Sequence, residues 1–245
     1  MAKYDELGTT YARTRASDPR IQAQIDRALG DAATVVNVGA GTGSYEPIDR
    51  AVTAVEPSAV MIAQRAPHAA PCIQASAEQL PFADGAFDAA LAILTVHHWT
   101  DLERGVSELQ RVARRVVIVT WDADYGEQFW LTRDYVRASI ELDRARFPTI
   151  DRLAALLGPG TVVEPVPVPH DCSDGFCGAF WRRPEAYLDP EVRAGISNLN
   201  ELEGQSGAGL ARLRADLESG AWRERHAELV NADTWDVGYR IVRTP

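Results

Sequence analysis

Apolar residues in the first half of the chain fall into two patterns. Five short apolar runs have the length of strands, and the run at residues 89–94 contains no polar side chain, as expected for a strand buried on both faces. These runs lie at residues 34–38, 51–55, 71–75, 89–94 and 116–119. The segments between them have helical spacing, with predicted helices over residues 18–29, 59–65 and 102–112. Strands that alternate with helices predict an α/β fold around a parallel sheet.

The second half of the chain is less regular. It predicts helices over residues 127–143 and 149–157, a proline-containing edge strand over 161–168, and a last strand over 236–242. We expect a single domain, residues 1–245, in which residues 124–148 and 170–232 form helical cap insertions.

Composition narrows the possible functions. The net charge of −10 argues against nucleic acid or an anionic membrane as partner, since phosphate groups require a basic surface. No apolar run approaches 18 residues, which argues against a membrane span. Cys72, Cys172 and Cys177 lack paired metal-ligand spacing, so we expect reduced thiols, a cytoplasmic protein and no metal site. The sequence carries no indication of oligomeric state.

The first strand leads into a glycine-rich turn. Gly39, Gly41 and Gly43 occupy alternate positions, and glycine lets the backbone approach a ligand where a side chain would collide. We expect a short helix to begin after Gly43, with its first N–H groups facing that ligand. Glu56 follows the second strand, where a carboxylate can accept hydrogen bonds from the two hydroxyls of a ribose.

The order of these motifs resembles the class I S-adenosylmethionine-dependent methyltransferases of the broad small-molecule type. The resemblance covers residues 1–120 and rests on Val-Val-Asn-Val-Gly-Ala-Gly-Thr-Gly at 35–43, Ala-Val-Glu-Pro-Ser at 54–58, Ala-Glu-Gln-Leu-Pro-Phe at 77–82 and His-His-Trp at 97–99. It implies a Rossmann-like, seven-stranded, mostly parallel sheet flanked by helices. It also implies methyl transfer from S-adenosylmethionine to a small-molecule acceptor.

The resemblance also implies a set of cofactor-binding positions. Residues that would meet the methionine half are Gly39, Ala40, Gly41, Ile93 and Leu94, with Tyr11 and Arg13 in an N-terminal flap. Residues that would meet the adenosine half are Glu56 at the ribose and Pro57, Met61, Ser76, Ala77 and Glu78 around the adenine. Asn37 and Ser76 stand where the family often has aspartate.

His98 is the candidate general base, with Tyr11 as its partner, because related phosphoethanolamine methyltransferases have a histidine at the matching offset. A neutral imidazole can remove a proton from an acceptor hydroxyl or amine. Strand alternation would turn His97 away, and Asp122 and His170 are reserve candidates. In the competing interpretation the histidines only pack beside the cofactor.

Aromatic side chains are also candidates for the wall of a capped acceptor pocket, which would exclude water and attract the cationic sulfur. They are Trp99, Trp121, Phe129, Trp130, Phe176, Phe180 and Trp181. For any single one of them, packing in the core is the competing interpretation.

Three other functions remain open from the sequence. An NAD-dependent oxidoreductase would favour G-x-G-x-x-G, whereas residues 39–44 read Gly-Ala-Gly-Thr-Gly-Ser. A non-catalytic sensor or scaffold that binds S-adenosylmethionine is compatible with Asn37 and Ser76. A protein acceptor is the third alternative.

Overall fold

The computed structural model describes residues 16–245 of the chain. Its strands, in chain order, are β1 (Thr34–Val38), β2 (Ala51–Val55), β3 (Cys72–Ile73), β4 (Phe87–Ile93), β5 (Ala113–Trp121), β6 (Val162–Pro165), β7 (Val168–Pro169), β8 (Thr234–Trp235) and β9 (Tyr239–Arg243). Within the described residues, seven strands form one sheet in the order β3-β2-β1-β4-β5-β9-β6. Neighbours from β3 to β5 are parallel, and β9 runs antiparallel to β5 and β6. The predicted Rossmann-like, mostly parallel sheet is therefore confirmed.

Helices cover the two faces of this sheet. The α-helices of the described residues are α1 (Pro19–Leu29), α2 (Ala59–Ala63), α3 (Leu102–Val112), α4 (Ala138–Arg146), α5 (Ile150–Leu157), α6 (Pro190–Ala194), α7 (Ser197–Glu201), α8 (Gly207–Ser219), α9 (Ala221–Arg225) and α10 (Ala227–Val230). The Asp18 carboxylate accepts a hydrogen bond from the Arg20 N–H and so caps α1, and Pro19 occupies the first turn. None of the helices in this part of the chain is long and apolar enough to cross a bilayer.

Two apolar clusters lie on opposite faces of the sheet. Val35 and Val36 are neighbours on β1, and both are fully buried, but they belong to different clusters. Successive side chains of a strand point to opposite faces, so a strand covered on both sides is apolar throughout. One cluster contains α3 and α5, whereas the other contains α1 and most of the aromatic residues beyond β5.

The first difference from the sequence prediction follows the glycine turn. The structure has turns rather than a helix over residues 44–50, so the helix expected after Gly43 is absent. Tyr45 lies in this segment with a φ of +61°, which a helix does not tolerate. The Tyr45 hydroxyl donates to Asp174 Oδ2 at 2.8 Å, and this buried contact holds the turn against the residues that follow β7.

A second difference lies within residues 127–143, which were predicted to form one helix. They divide into a 3₁₀ turn (Ala123–Glu127), a π-helical turn (Leu131–Tyr135) and α4. The Thr132 hydroxyl lies 2.6 Å from the Gly126 carbonyl oxygen and 3.0 Å from that of Phe129. A hydroxyl that occupies backbone acceptors in this way competes with regular helical hydrogen bonds.

Residues 170–232 contain helices and 3₁₀ turns, with 3₁₀ segments at Cys177–Phe180 and Pro184–Leu188 ahead of α6 to α10. The predicted strand over residues 161–168 is divided between β6 and β7, and β6 lies at the edge of the main sheet. An edge position suits Pro165 of β6, because proline has no N–H to donate to a neighbouring strand.

Candidate functional site

The glycine turn lies at the carboxyl end of β1. Gly39, Gly41 and Gly43 have φ values of +71°, +51° and +98°, in the left-handed region that glycine occupies at little cost. The N–H groups of Gly39 and Ala40 donate to the Val55 carbonyl at 2.8 and 3.0 Å, so the turn is fastened to the end of β2. A Cβ on Gly39 would lie 2.0 Å from Thr95 Oγ1. Only glycine fits at this position.

Glu56 joins the glycine turn to the segment after β2. Its carboxylate accepts a hydrogen bond from the Gly41 N–H at 2.8 Å and another from the Ser58 N–H at 2.9 Å. The Ser58 side chain in turn accepts from the Met61 N–H and caps α2. A carboxylate has about four lone-pair positions, so these two bonds leave capacity for a ligand.

A buried ion pair between Arg65 and Glu46 contacts the glycine turn. The sequence analysis did not predict this pair. Arg65 Nη2 donates to both carboxylate oxygens of Glu46, and its Nη1 donates to the Gly41 carbonyl at 3.1 Å. The Glu46 carboxylate also accepts from Asn37 Nδ2 at 3.2 Å. The opposite charges of residues 46 and 65 gave no sequence signal because this contact is not within one helix or one strand pair.

The segment after β3 meets the residues that precede α3. Glu78 Oε1 accepts hydrogen bonds from the Thr100 N–H at 2.8 Å and the Thr100 hydroxyl at 2.9 Å. Burial alone would raise the pKa of the Glu78 carboxyl, but hydrogen bonds, including those from Thr100 and Asp101, hold this pKa below its usual value. Glu78 is therefore an ionised side chain already engaged by the chain itself.

The first residue after β4, Leu94, has a strained backbone conformation. Leu94 has a φ of +49°, in the left-handed region that favours glycine, and its N–H donates to the Val119 carbonyl at 2.8 Å. Such a conformation costs a residue with a side chain about 1–2 kcal/mol. Strain of this kind is concentrated at functional sites, where the surrounding structure enforces it.

Both histidines that follow β4 contribute to the site. Residues Val96–His98 form a 3₁₀ turn rather than extended chain, so the predicted alternation does not apply and His97 is not turned away. The two imidazole ring centres lie 3.8 Å apart, and the His97 ring stacks on Phe147 at 4.0 Å. The prediction that alternation turns His97 away is wrong, because strand β4 ends before this residue.

A cavity of about 950 Å³ is bordered by all of these segments. The sequence-predicted residues on its wall are Gly39, Ala40, Gly41, Glu56, Pro57, Met61, Ser76, Ala77, Glu78, Ile93, Leu94 and His98. Trp99, one of the predicted wall aromatics, also borders it, and residues that the structure adds include Asn37, Tyr45, His97 and Arg146. Tyr11 and Arg13, the two flap residues, lie outside the described residues.

Most of the proposed wall aromatics have another location. Of the seven, only Trp99 borders this cavity within the described part of the chain. Trp130 and Trp181 are fully buried in the core, and the Trp130 indole N–H donates to the Trp181 carbonyl at 2.9 Å. Phe129, Trp121 and Phe176 are buried in the same cluster. The core-packing interpretation therefore accounts for these side chains.

The two reserve candidates for proton transfer are also absent from the described wall of this cavity. Asp122 lies 3.8 Å from the Arg240 guanidinium, and burial raises the pKa of its carboxyl. The His170 ring contacts Arg182, and its backbone N–H donates to the Asp233 carbonyl.

Comparison with known proteins identifies the family. Residues 36–119 match the family model described as a methyltransferase domain. A crystal structure from Anabaena variabilis, described as a candidate methyltransferase from an antibiotic biosynthesis pathway, is 36% identical with a TM-score of 0.84. That alignment covers 95% of this chain and 99% of the other.

Two curated relatives match over shorter regions. A Schizosaccharomyces pombe tRNA (carboxymethyluridine(34)-5-O)-methyltransferase is 24% identical over 46% of this chain and 50% of its own length. The chloroplastic 2-methyl-6-phytyl-1,4-hydroquinone methyltransferase 2 of Oryza sativa subsp. japonica is 29% identical over 40% of this chain and 31% of its own length. The chain therefore spans half or less of these two relatives. The near-complete alignment with the Anabaena protein, together with the glycine turn and the sheet order, establishes that the chain belongs to the class I S-adenosylmethionine-dependent methyltransferases.

Proposed function

We propose that this protein transfers the methyl group of S-adenosylmethionine to a small-molecule acceptor. The observation that carries the proposal is that one cavity is bordered by the glycine turn, Glu56 and the His97–His98 turn. Its volume of about 950 Å³ is at the upper end of the range for ligand pockets, which suits a cofactor together with part of an acceptor.

The cofactor fits this wall. The glycine turn allows a close approach that a side chain at Gly39 would block. Asn37 is 2% exposed, and its Oδ1 has no hydrogen-bond partner among the described residues, so a buried acceptor is available at the wall. We assign the methionine half to Gly39–Gly41 and the backbone of Ile93 and Leu94.

We assign the adenosine half to the adjacent segments. Glu56 is expected to accept hydrogen bonds from the ribose, since its carboxylate has capacity left. The adenine would lie against Pro57 and Met61 and meet the edge formed by Ser76–Glu78. Because Ser76 has no charge, its contact with the adenine would be weaker than that of an aspartate.

When bound, S-adenosylmethionine supplies a methyl group on a sulfonium centre. The chain's own task is to hold the acceptor atom in line with that group and to exclude water. His98 is the residue we assign to proton removal from an acceptor hydroxyl or amine, with Tyr11 as its partner in the N-terminal segment. Residues 124–148 and 170–232 are the proposed cap over the acceptor.

The small-molecule acceptor is favoured over a nucleic acid by charge. The net charge of −10 opposes binding to a phosphate backbone, although one relative bears the name of a tRNA methyltransferase. The Anabaena protein is described as part of an antibiotic biosynthesis pathway, and the rice enzyme is named for a hydroquinone. Both descriptions support a low-molecular-weight acceptor.

Calorimetric titration with S-adenosylhomocysteine tests the cofactor assignment. Glu56→Gln should weaken binding about 10-fold or more, since a hydrogen bond to a charged group contributes about 1.5–3 kcal/mol. Glu103→Gln, an exposed change on α3 outside the described cavity wall, should bind as wild type. Equal affinities of wild type and Glu56→Gln would remove Glu56 from the site.

Transfer of a radioactive methyl group tests the acceptor class. The protein is incubated with methyl-labelled S-adenosylmethionine and separate small-molecule, RNA and protein fractions of a cell extract. Label in the small-molecule fraction supports the proposal, and label confined to RNA or protein contradicts it. Tight cofactor binding without transfer to any fraction would favour the sensor or scaffold instead.

A further inference from the structure

Arg146 differs from the other charged side chains on the described wall of the cavity. The other two are Glu56 and Glu78, and both already accept hydrogen bonds from backbone N–H groups. Arg146 is the last residue of α4, in the proposed cap rather than the sheet. It is therefore the one guanidinium that the described residues present to this cavity.

The hydrogen bonds of Arg146 leave part of its guanidinium available. Its Nη2 donates to both carboxylate oxygens of Glu201, whereas Nε and Nη1 have no partner among the described residues. The side chains of Arg146 and Glu201 are 22% and 44% exposed. An ion pair with this much access to water contributes little and can exchange partners readily.

The backbone around Arg146 is fixed independently of that ion pair. Phe147 stacks on His97 at 4.0 Å, which holds the end of α4 beside the two histidines. One turn earlier, the Asp143 carboxylate accepts a hydrogen bond from Asn198 Nδ2 at 3.1 Å. The guanidinium would therefore stay at the cavity after Glu201 is released.

We propose that Arg146 binds an anionic group, a carboxylate or a phosphate, on the methyl acceptor, and that this group replaces Glu201. The inference rests on the proposed function, because it assumes that the acceptor lies beside the histidine turn. Planar guanidinium forks match the geometry of carboxylates and phosphates, which makes arginine suited to this task. Glu201 is then the resident counter-ion that pairs with the Arg146 charge before the acceptor enters.

The competing explanation is that Arg146 and Glu201 only latch the cap. The two explanations predict opposite effects at Glu201. If the ion pair only holds the cap in place, neutralising either Arg146 or Glu201 should weaken anion binding. If Glu201 is a resident counter-ion, it competes with the acceptor for Arg146, so neutralising Glu201 should strengthen anion binding.

Binding of inorganic phosphate separates them without an identified acceptor. Calorimetry is performed on protein saturated with S-adenosylhomocysteine, so that the cofactor site is filled. Glu201→Gln should bind phosphate about 10-fold more tightly than wild type, because a competing charge-assisted hydrogen bond has been removed. Arg146→Gln should not bind phosphate. Arg144→Gln, which lies on the same helix and pairs with Asp124 and Glu141, should behave as wild type.

Three results would overturn the inference. In the first, millimolar phosphate binds neither wild type nor Glu201→Gln. In the second, Arg146→Gln binds phosphate as tightly as wild type does. In the third, Glu201→Gln binds phosphate more weakly than wild type does. Arg146→Lys covers the case in which Arg146→Gln does not fold. This variant keeps the positive charge but loses the planar arrangement of guanidinium donors, so it should bind phosphate more weakly than wild type does.

A turnover measurement adds the specificity. Each member of a panel of hydroxy and amino acids is paired with its carboxamide, and each phosphate monoester with its parent alcohol. Arg146→Gln should raise KM about 10-fold or more for the anionic member of an active pair and leave the neutral member unchanged. If wild type does not bind S-adenosylhomocysteine, the proposed function is refuted. If wild type binds S-adenosylhomocysteine but neither it nor Glu201→Gln binds phosphate, only the role of Arg146 is refuted.

Discussion

Arg65 and Glu46 form an ion pair beside the glycine turn, in which a single guanidinium nitrogen, Nη2, lies 2.7 and 2.9 Å from the two carboxylate oxygens. Their side chains are 5% and 8% exposed. The same guanidinium donates to the Gly41 carbonyl, and the same carboxylate accepts from the Ala70 N–H. No helix follows the turn in the described structure, so this pair supports it instead.

Arg65→Gln should lower the free energy of unfolding by about 3–5 kcal/mol, because the Glu46 carboxylate would be left buried without its counter-charge. The loss should be visible in urea unfolding. It should be accompanied by weaker S-adenosylhomocysteine binding, since the Gly41 carbonyl loses its donor. Glu46→Gln combined with Arg65→Gln should cost less than the sum of the single changes.

The matched control for that prediction is Arg114→Gln. Arg114 lies 3.7 Å from Asp88 with a side chain that is 79% exposed, so its loss should change stability by less than 1 kcal/mol. If Arg65→Gln behaves like this exposed change, the pair does not support the turn.

Gly39→Ala should abolish cofactor binding. Its φ of +71° is unfavourable for alanine, and the new Cβ would lie 2.0 Å from Thr95 Oγ1, so the turn or Thr95 must move. Gly85→Ala isolates the backbone contribution, because Gly85 has a φ of +63° but nothing within 4 Å of a built Cβ. The control should lose about 1–2 kcal/mol of stability and retain its affinity for S-adenosylhomocysteine. Equal affinities of the two variants in calorimetry would argue against close packing at Gly39.

Local sequence patterns were sufficient to predict the main sheet and most of the residues that border the cavity. β2 and α3 have the bounds that the sequence predicts, since apolar runs and helical periodicity record burial within one element. Gly39, Glu56 and Leu94 lie at or next to the ends of parallel strands, and these ends meet at the same edge of a sheet. Strand order thus brings together residues that are far apart in the chain.

Contacts between elements were not predictable in this way. Arg65 and Glu46 meet because turns replace the expected helix, and Tyr45 is anchored by Asp174, 129 residues away. His97 faces the cavity because a 3₁₀ turn begins one residue before it. These contacts depend on residues that are distant in sequence, and the periodicity of apolar residues along the chain carries no information about them.

Asp143→Asn should stabilise the protein at alkaline pH. Burial raises the pKa of this carboxyl from 3.8 to about 7, and the Asn198 hydrogen bond and the Arg146 charge offset only part of that effect. The unfolded chain loses the proton near 3.8, so folding takes up a proton between about pH 4 and 7. Stability therefore falls across that interval and stays low above it.

The gain for Asp143→Asn should reach at most about 4 kcal/mol near pH 8 and vanish near pH 4. Cys177 adjoins this carboxyl and should remain protonated throughout, since burial also raises its pKa. Thermal unfolding at several pH values measures the difference, with the exposed Asp31→Asn as control. A pH-independent difference would mean that folding does not shift the pKa of the Asp143 carboxyl.

His98→Gln tests the proposed proton removal against its neighbour, because His97 and His98 border the same cavity. If His98 is the base, kcat on the true acceptor should fall about 10²–10⁴-fold, and the decline of rate at acidic pH should disappear. The sign follows from chemistry, since a protonated imidazolium cannot accept the acceptor's proton. His97→Gln should keep that acidic decline and should mainly lose stability, because its ring stacks on Phe147. A His98→Gln variant with an unchanged rate and pH profile would assign His98 to packing and leave catalysis to the positioning of the acceptor.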